Sequence, residues 1–417
     1  PMLYKTTNYG KSWTKITNGI PDMDFTRVIR EDPNKKGLLY AGTETGMYVS
    51  FDDGAQWQNL QLNLPPVAVT DLAVHKRDKD LIVATQGRAF WVLDDLTVLH
   101  EMSDKIAQAE TYLFQPEDTY LFGGRGWTTA PSIGQNPDNG AVFFYTLKDK
   151  VEAEVKIEVI DPIGSPIRTY SSKKDEKGKK VASSDKFYEE ENTSRPNIVS
   201  SEKGLNRFVW DLQYPEVTRL NGVQVLWAGN TSGPSAIPGT YTVKLHIGDK
   251  VVGERKFIIK KNPRLTEVTQ SDFESQFKLV TIIKAKLDTT HRTINRIREV
   301  RAEINKITAE AKGDKALQEK AKKMLDAMSE IENALVQAKA ESGQDVLNYQ
   351  IKLNNKLASL SSTVETGYGK PTKQQYAVYE VLAAQVDVQL ERLKKIWDGE
   401  YNNFIEGSAN PVVPIKN

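Results

Sequence analysis

Apolar and polar positions change period along this chain, and the changes mark out its parts. Over residues 1–100 short apolar runs alternate with turn residues, the period-two pattern of strands. Leu38-Leu39-Tyr40-Ala41-Gly42-Thr43 and Gly46-Met47-Tyr48-Val49-Ser50 predict one hairpin. Val69 to Val74 opens the next group, in which Asp80-Leu81-Ile82-Val83-Ala84-Thr85 and Phe90-Trp91-Val92-Leu93 predict a second hairpin around Gln86-Gly87-Arg88. Residues 101–140 are rich in Gly and Pro and carry neither period, so they read as a linker.

Strand patterns resume over residues 141–262. Ala141 to Leu147, Ala153 to Ile160, Leu205 to Leu212, Pro238 to Leu245 and Arg255 to Ile259 are short strands with turn signals between them. Their number and spacing predict an immunoglobulin-like or fibronectin III-like β-sandwich. Residues 171–204 are polar and rich in Lys, Ser and Glu, which predicts a flexible insertion. From 266 to 407 the spacing becomes three and four. Val280, Ile283, Leu287, Thr290, Ile294, Ile297 and Ile304 follow it, with a slip at Arg301. Further helices are expected from about Ala316 to Ala340, Val346 to Leu360, and Gln374 to Phe404, the last capped by Thr372. Long helices with short connections make an antiparallel bundle. The predicted fold class is therefore multidomain, β plus α.

One phrase occurs twice within the first hundred residues. Thr6-Thr7-Asn8-Tyr9-Gly10-Lys11-Ser12-Trp13 is echoed 44 residues later by Ser50-Phe51-Asp52-Asp53-Gly54-Ala55-Gln56-Trp57. Both fit S/T-x-D/N-x-G-x-x-W, the pattern called an Asp box or BNR repeat. Each position has a structural role. Gly10 and Gly54 permit a turn other residues resist. Asn8 and Asp52 can cap backbone N–H groups, and Trp13 and Trp57 can anchor strands by their apolar area. A ligand or metal site at Asp52 and Asp53 is the functional alternative, and local satisfaction of the turn argues against it. A strand-rich period of this length is that of a β-propeller blade. Propellers close with about four to eight blades, and the phrase is absent near Asp94, where a third copy would fall. Residues 1–100 are thus expected to be the last blades of a larger propeller, with missing N-terminal blades, on the same or another chain, as their first partner.

Composition narrows the chemistry. Lys plus Arg is 56 and Asp plus Glu is 55, a balance that argues against a general nucleic-acid partner. No stretch reaches the roughly 18–20 apolar residues of a membrane span. Cysteine is absent, which removes disulfides, thiolate ligands and cysteine nucleophiles. The histidines, His75, His100, His246 and His291, are scattered over different modules with no ligand spacing, so neither a metal nor a cofactor is expected. No G-x-S-x-G elbow or P-loop is present. Asp94 and Asp95 are adjacent and would face opposite ways in a strand, so turn or cap roles suit them better than paired catalysis. Arg125, in Gly123-Gly124-Arg125-Gly126, could grip a carboxylate or phosphate. Arg88 is the second candidate for ligand binding. No catalytic residue is assigned.

The run Gln86-Gly87-Arg88-Ala89-Phe90-Trp91-Val92-Leu93-Asp94-Asp95 resembles the C-terminal part of bacterial exported BNR/Asp-box, sortilin-like propeller proteins, often labelled glycosyl hydrolases. The resemblance extends through Gly123 to Gly126, Leu205 to Leu212 and Pro238 to Val243, while the helical part matches in type only. It implies a secreted, periplasmic or surface protein of bacterial origin. Such a protein would act by binding a protein, peptide or glycan. The alternative is a glycoside hydrolase or sialidase-like enzyme with its catalytic residues mainly in other blades. Sialidases, by resemblance, use three arginines, and here Arg27, Arg30 and Arg88 stand beside Arg77 as the only arginines of the repeats.

Overall fold

Most of the period-two segments become strands in the computed structural model, which describes residues 1–406 apart from 123–133, 135, 137, 174–197, 221–224, 226–228, 312 and 341. Arg125 and its glycine loop, and most of the insertion expected at 171–204, lie outside the described residues. The chain divides into two units. One comprises Pro1–Lys174, Asn197–Asp211 and Gly239–Lys260; the other includes Leu212–Pro238 and Lys261–Asn417.

In the first unit, β1 (Tyr4–Lys5) pairs with β2 (Thr14–Lys15). Four strands follow in chain order as one antiparallel sheet: β3 (Thr26–Glu31), β4 (Leu39–Thr43), β5 (Met47–Ser50) and β6 (Gln58–Asn59). A three-stranded sheet contains β7 (Val69–His75), β8 (Asp80–Thr85) and β9 (Phe90–Leu93). Alternating side chains seal successive sheets together. Tyr40, Met47 and Val49 pack with Val69, Leu72, Leu81 and Val83. Each such buried side chain contributes about 1.5–3 kcal/mol.

The stretch 101–140, expected to lack regular structure, carries some. The chain forms α1 (Thr97–Glu101), α2 (Asp104–Gln108), β10 (Thr111–Leu113) and β11 (Thr119–Leu121). The last two are too short to show a period, and pairing with distant strands holds them. They join β12 (Ala141–Leu147), β13 (Val155–Ile160), β14 (Pro166–Ser171), β15 (Gly204–Trp210), β16 (Gly239–Ile247) and β17 (Lys250–Lys261). Two sheets result, in the orders β10-β12-β15 and β11-β17-β16-β13-β14. Every second residue of β12 is buried, and the inner faces meet through Phe143 and Phe257, 5.2 Å between rings, and Trp210 and Tyr241, 5.6 Å.

The second unit is built on α3 (Gln270–Glu310), 41 residues long. A capping box of Thr269 and Asp272 starts it, satisfying N–H groups a helix leaves unpaired. Its buried stripe passes the slip at Arg301 through Val300, Ile304 and Ile307. Then come α4 (Lys315–Leu335), α5 (Leu353–Glu365), and α6 (Lys373–Lys395) with the expected Thr372 cap. The third helix starts at Leu353, not Val346, because Gly343–Leu347 forms only a 3-10 turn. The last one widens into a π turn over Ile396–Tyr401 before α7 (Asn402–Glu406).

Leu212–Pro238 sorts with these helices rather than with the β layers, unlike the continuous 141–262 module expected. Val217 and Leu220 enter the helical core. The buried His291 bonds the Thr218 carbonyl through Nδ1 at 2.7 Å, and Lys284 bonds the Asn230 carbonyl at 2.8 Å. A segment without periodicity of its own is thus held by polar groups of α3.

Candidate functional site

The two repeated phrases fold into the same turn. In the second, Gly54 N–H donates to Ser50 Oγ at 2.9 Å and Gln56 N–H to Asp52 Oδ1 at 2.9 Å. In the first, Gly10 N–H donates to Thr6 Oγ1 at 2.9 Å and Ser12 N–H to Asn8 Oδ1 at 2.9 Å. The backbone turns through the left-handed region at Tyr9-Gly10 (φ 58° and 86°) and Asp53-Gly54 (φ 62° and 88°), where glycine is least strained. Accepted N–H groups hold the Asp52 carboxyl below the usual range against its partial burial.

The tryptophans differ. Trp57 is 2% exposed and packs among Leu3, Ile20, Leu39, Ala41 and Tyr48, with Ile16 beside them. Its indole N–H donates to the Ile16 carbonyl at 2.7 Å and its backbone N–H to the Asn18 carbonyl at 2.8 Å. Trp13 is 59% exposed.

Three of the four arginines in the repeats are matched by carboxylates. Arg27 pairs with Glu44, Arg30 with Asp71 at 2.6 Å, and Arg77 grips Asp78 through Nε and Nη2, both at 2.7 Å. The sheets therefore do not gather Arg27, Arg30 and Arg88 on one carboxylate-binding point. Arg88 sits exposed in the loop between β8 and β9. Its backbone is tied to Thr85 and to the Trp91 indole, and its guanidinium has no partner among the described residues. Of the two candidate binding residues it is the one that lies among the described residues.

An acidic group lies at the opposite end of the β7–β9 sheet. His75, Asp78 and Asp80, all within six residues at the turn between β7 and β8, bring ligand atoms within 4.8 Å of one another. Arg77 already occupies Asp78, and the Asp78 N–H donates to His75 Nδ1 at 3.2 Å. Burial, then neighbouring carboxylates, push Asp80 and Asp94 upward. Glu117 is pushed to about 7, by burial first and Asp95 second, against the opposing pull of Lys79 at 3.6 Å. This group can hold or release a proton near neutrality. Sequence reasoning missed Glu117 because it lies in the stretch taken as linker. Asp95 accepts from the Thr97 N–H at 3.0 Å where α1 begins, and both aspartates follow the end of β9.

A second buried cluster joins Asp32 to Tyr40 Oη and His100 Nε2, each at 2.8 Å. Burial raises the Asp32 carboxyl, but the Asn34 N–H, His100 and Tyr40 outweigh it and leave it low. Each group satisfies another, and the result pins α1 against the β3–β6 sheet.

The repeats have recognisable relatives. A family model described as "Sortilin, neurotensin receptor 3" matches residues 2–118, which gives this region a sortilin-like, Asp-box relationship. No curated protein matches the chain. A solved structure described as "pT26-6p" aligns with 72% of this chain at 13% identity and a TM-score of 0.13, too low to bear on the fold. The chain spans 50% of the length of that structure. Among the described residues, no helix is long and apolar enough to cross a membrane.

Proposed function

We propose that this chain belongs to a larger Asp-box propeller protein that works by binding a protein, peptide or glycan. The observation that carries this reading is the contact around Trp57. One repeat closes its core with the indole of the next, as blades of a ring would. On this reading β3–β6 is a complete blade, while β1–β2 and β7–β9 are parts of its neighbours, and Trp13 is covered by blades outside the described residues. The two β layers would form an immunoglobulin-like accessory module, and the helices a docking module. The protein would be exported by a bacterium, to the periplasm, surface or medium.

Binding rather than turnover is favoured by the arginines. Those of the repeats are neutralised separately, except Arg88, so no convergent clamp of the sialidase kind forms from them. Immobilised glycan and peptide panels, with mass spectrometry of the eluates, test the reading. Saturable retention of a ligand without product is expected, weakened about tenfold by Arg88→Ala if the ligand bears a carboxylate. Release of sugar or cleaved peptide by the protein would overturn it.

A further inference from the structure

The residues enclosing Trp57 have counterparts one repeat further on. Leu3, Ile16 and Ile20 step by 44 residues to Met47, Leu60 and Leu64. Leu39 and Ala41 step by 42 to Leu81 and Val83, and Tyr48 by 43 to Trp91, following the matching hairpin of the next sheet. All six counterparts line a single open cavity, together with Leu62 and Val92. The tryptophan alone has no counterpart there. The residues at the matching steps, His100 and Glu101, lie on α1. There His100 is turned to Asp32, and Glu101 accepts from Tyr112 and the Gln115 N–H.

The strands agree with the side chains. β5 is paired on both sides, by β4 and β6, and all four of its residues are buried. Its counterpart β9 is an edge among the described residues, with Phe90 76% and Val92 54% exposed. An exposed apolar edge strand is a template for another strand. The carbonyl of Ile16, which receives the indole N–H of Trp57, corresponds to that of Leu60. Among the described residues the Leu60 carbonyl accepts no protein hydrogen bond.

We propose that this cavity is the docking site for the tryptophan of a further Asp-box strand, which pairs with β9 as β6 pairs with β5. Its indole N–H donates to the Leu60 carbonyl. The proposal rests on the repeat reading above and names the partner of one edge. Val83 and Trp91 are bulkier than Ala41 and Tyr48, so this slot is tighter than the one around Trp57, and widening it should help.

A labelled peptide of residues 50–61, titrated into the whole chain by fluorescence anisotropy, provides the test. Saturable binding is expected, about tenfold weaker when the peptide carries Trp57→Ala. Leu62→Glu in the protein should weaken it too, since Leu62 is 69% exposed and its change spares the core. Val83→Ala should tighten it. No saturation by about 1 mM peptide, or binding indifferent to both the indole and Leu62→Glu, overturns the proposal. Self-association of the chain alone, abolished by Trp13→Ala, would seat a second copy in the cavity and overturn the assignment to a separate strand. Ligand retention on the panels is scored independently, so the two readings can fail separately.

Discussion

Two neighbouring sheets of the repeat region share the same antiparallel hairpins and meet different ends. The β3–β6 sheet continues through an Asp box into a fourth strand, and Trp57 closes its core. The β7–β9 sheet reaches Asp94 and Asp95, turns into α1, and leaves Phe90 and Val92 exposed. The first box makes the contrast sharper, because its turn is as well formed as the second and its tryptophan is still in solvent. A local motif thus makes the turn, and a neighbouring repeat decides whether the turn contributes stability.

Trp57→Ala should have the largest effect, a loss of about 3–5 kcal/mol, seen in urea denaturation and in faster amide exchange of β4 and β5. Gly54→Ala comes next, at about 2–3 kcal/mol. Its Cβ would combine left-handed strain with an approach of 2.7 Å to Ile16 Cδ1. Gly10→Ala carries the strain alone, about 1–2 kcal/mol, since its nearest neighbour is 3.9 Å away. Equal losses at Gly10 and Gly54 would break the comparison.

The two sheets should respond to pH in opposite directions. The closed one, where Asp32 and Asp52 are held low, weakens only in acid, and the open one weakens as pH rises. Glu117 is held near 7 in the folded protein against 4.5 for a free carboxyl. The folded state therefore keeps a proton that the unfolded chain has lost, and stability falls as pH rises from about 4.5 to 7. Glu117→Gln should raise stability by about 2 kcal/mol at about pH 8, a value discounted for its 28% exposed side chain, and leave it unchanged near pH 4. Thermal unfolding at both pH values checks this. The smallest effect is expected at Trp13→Ala, under about 0.5 kcal/mol. A loss as large as that at Trp57 would show the first box to be buried in solution.

Much of this was legible in sequence because it is local. The Asp-box turns involve groups within eight residues of one another, and the long helices announce themselves by period and by Thr372. What escaped is non-local. β10 and β11 are three-residue strands that exist only through their pairing. Leu212–Pro238 is placed by His291 and Lys284, more than fifty residues away in sequence. Glu117 joins its acidic neighbours from a stretch with no pattern, and Arg88 was legible as a candidate while its lack of a partner was not.

By itself the sequence determined where the chain turns, which faces of strand and helix are apolar, and that the box is repeated, since each depends on residue type at short spacing. Tertiary structure alone decided that Trp57 is buried and Trp13 is not. The same indole in the same turn is stabilised only where Leu3, Ile16 and Ile20, from another repeat, remove it from water and supply a carbonyl. That difference in apolar burial and hydrogen bonding is set across some forty residues of chain, beyond the reach of any local pattern.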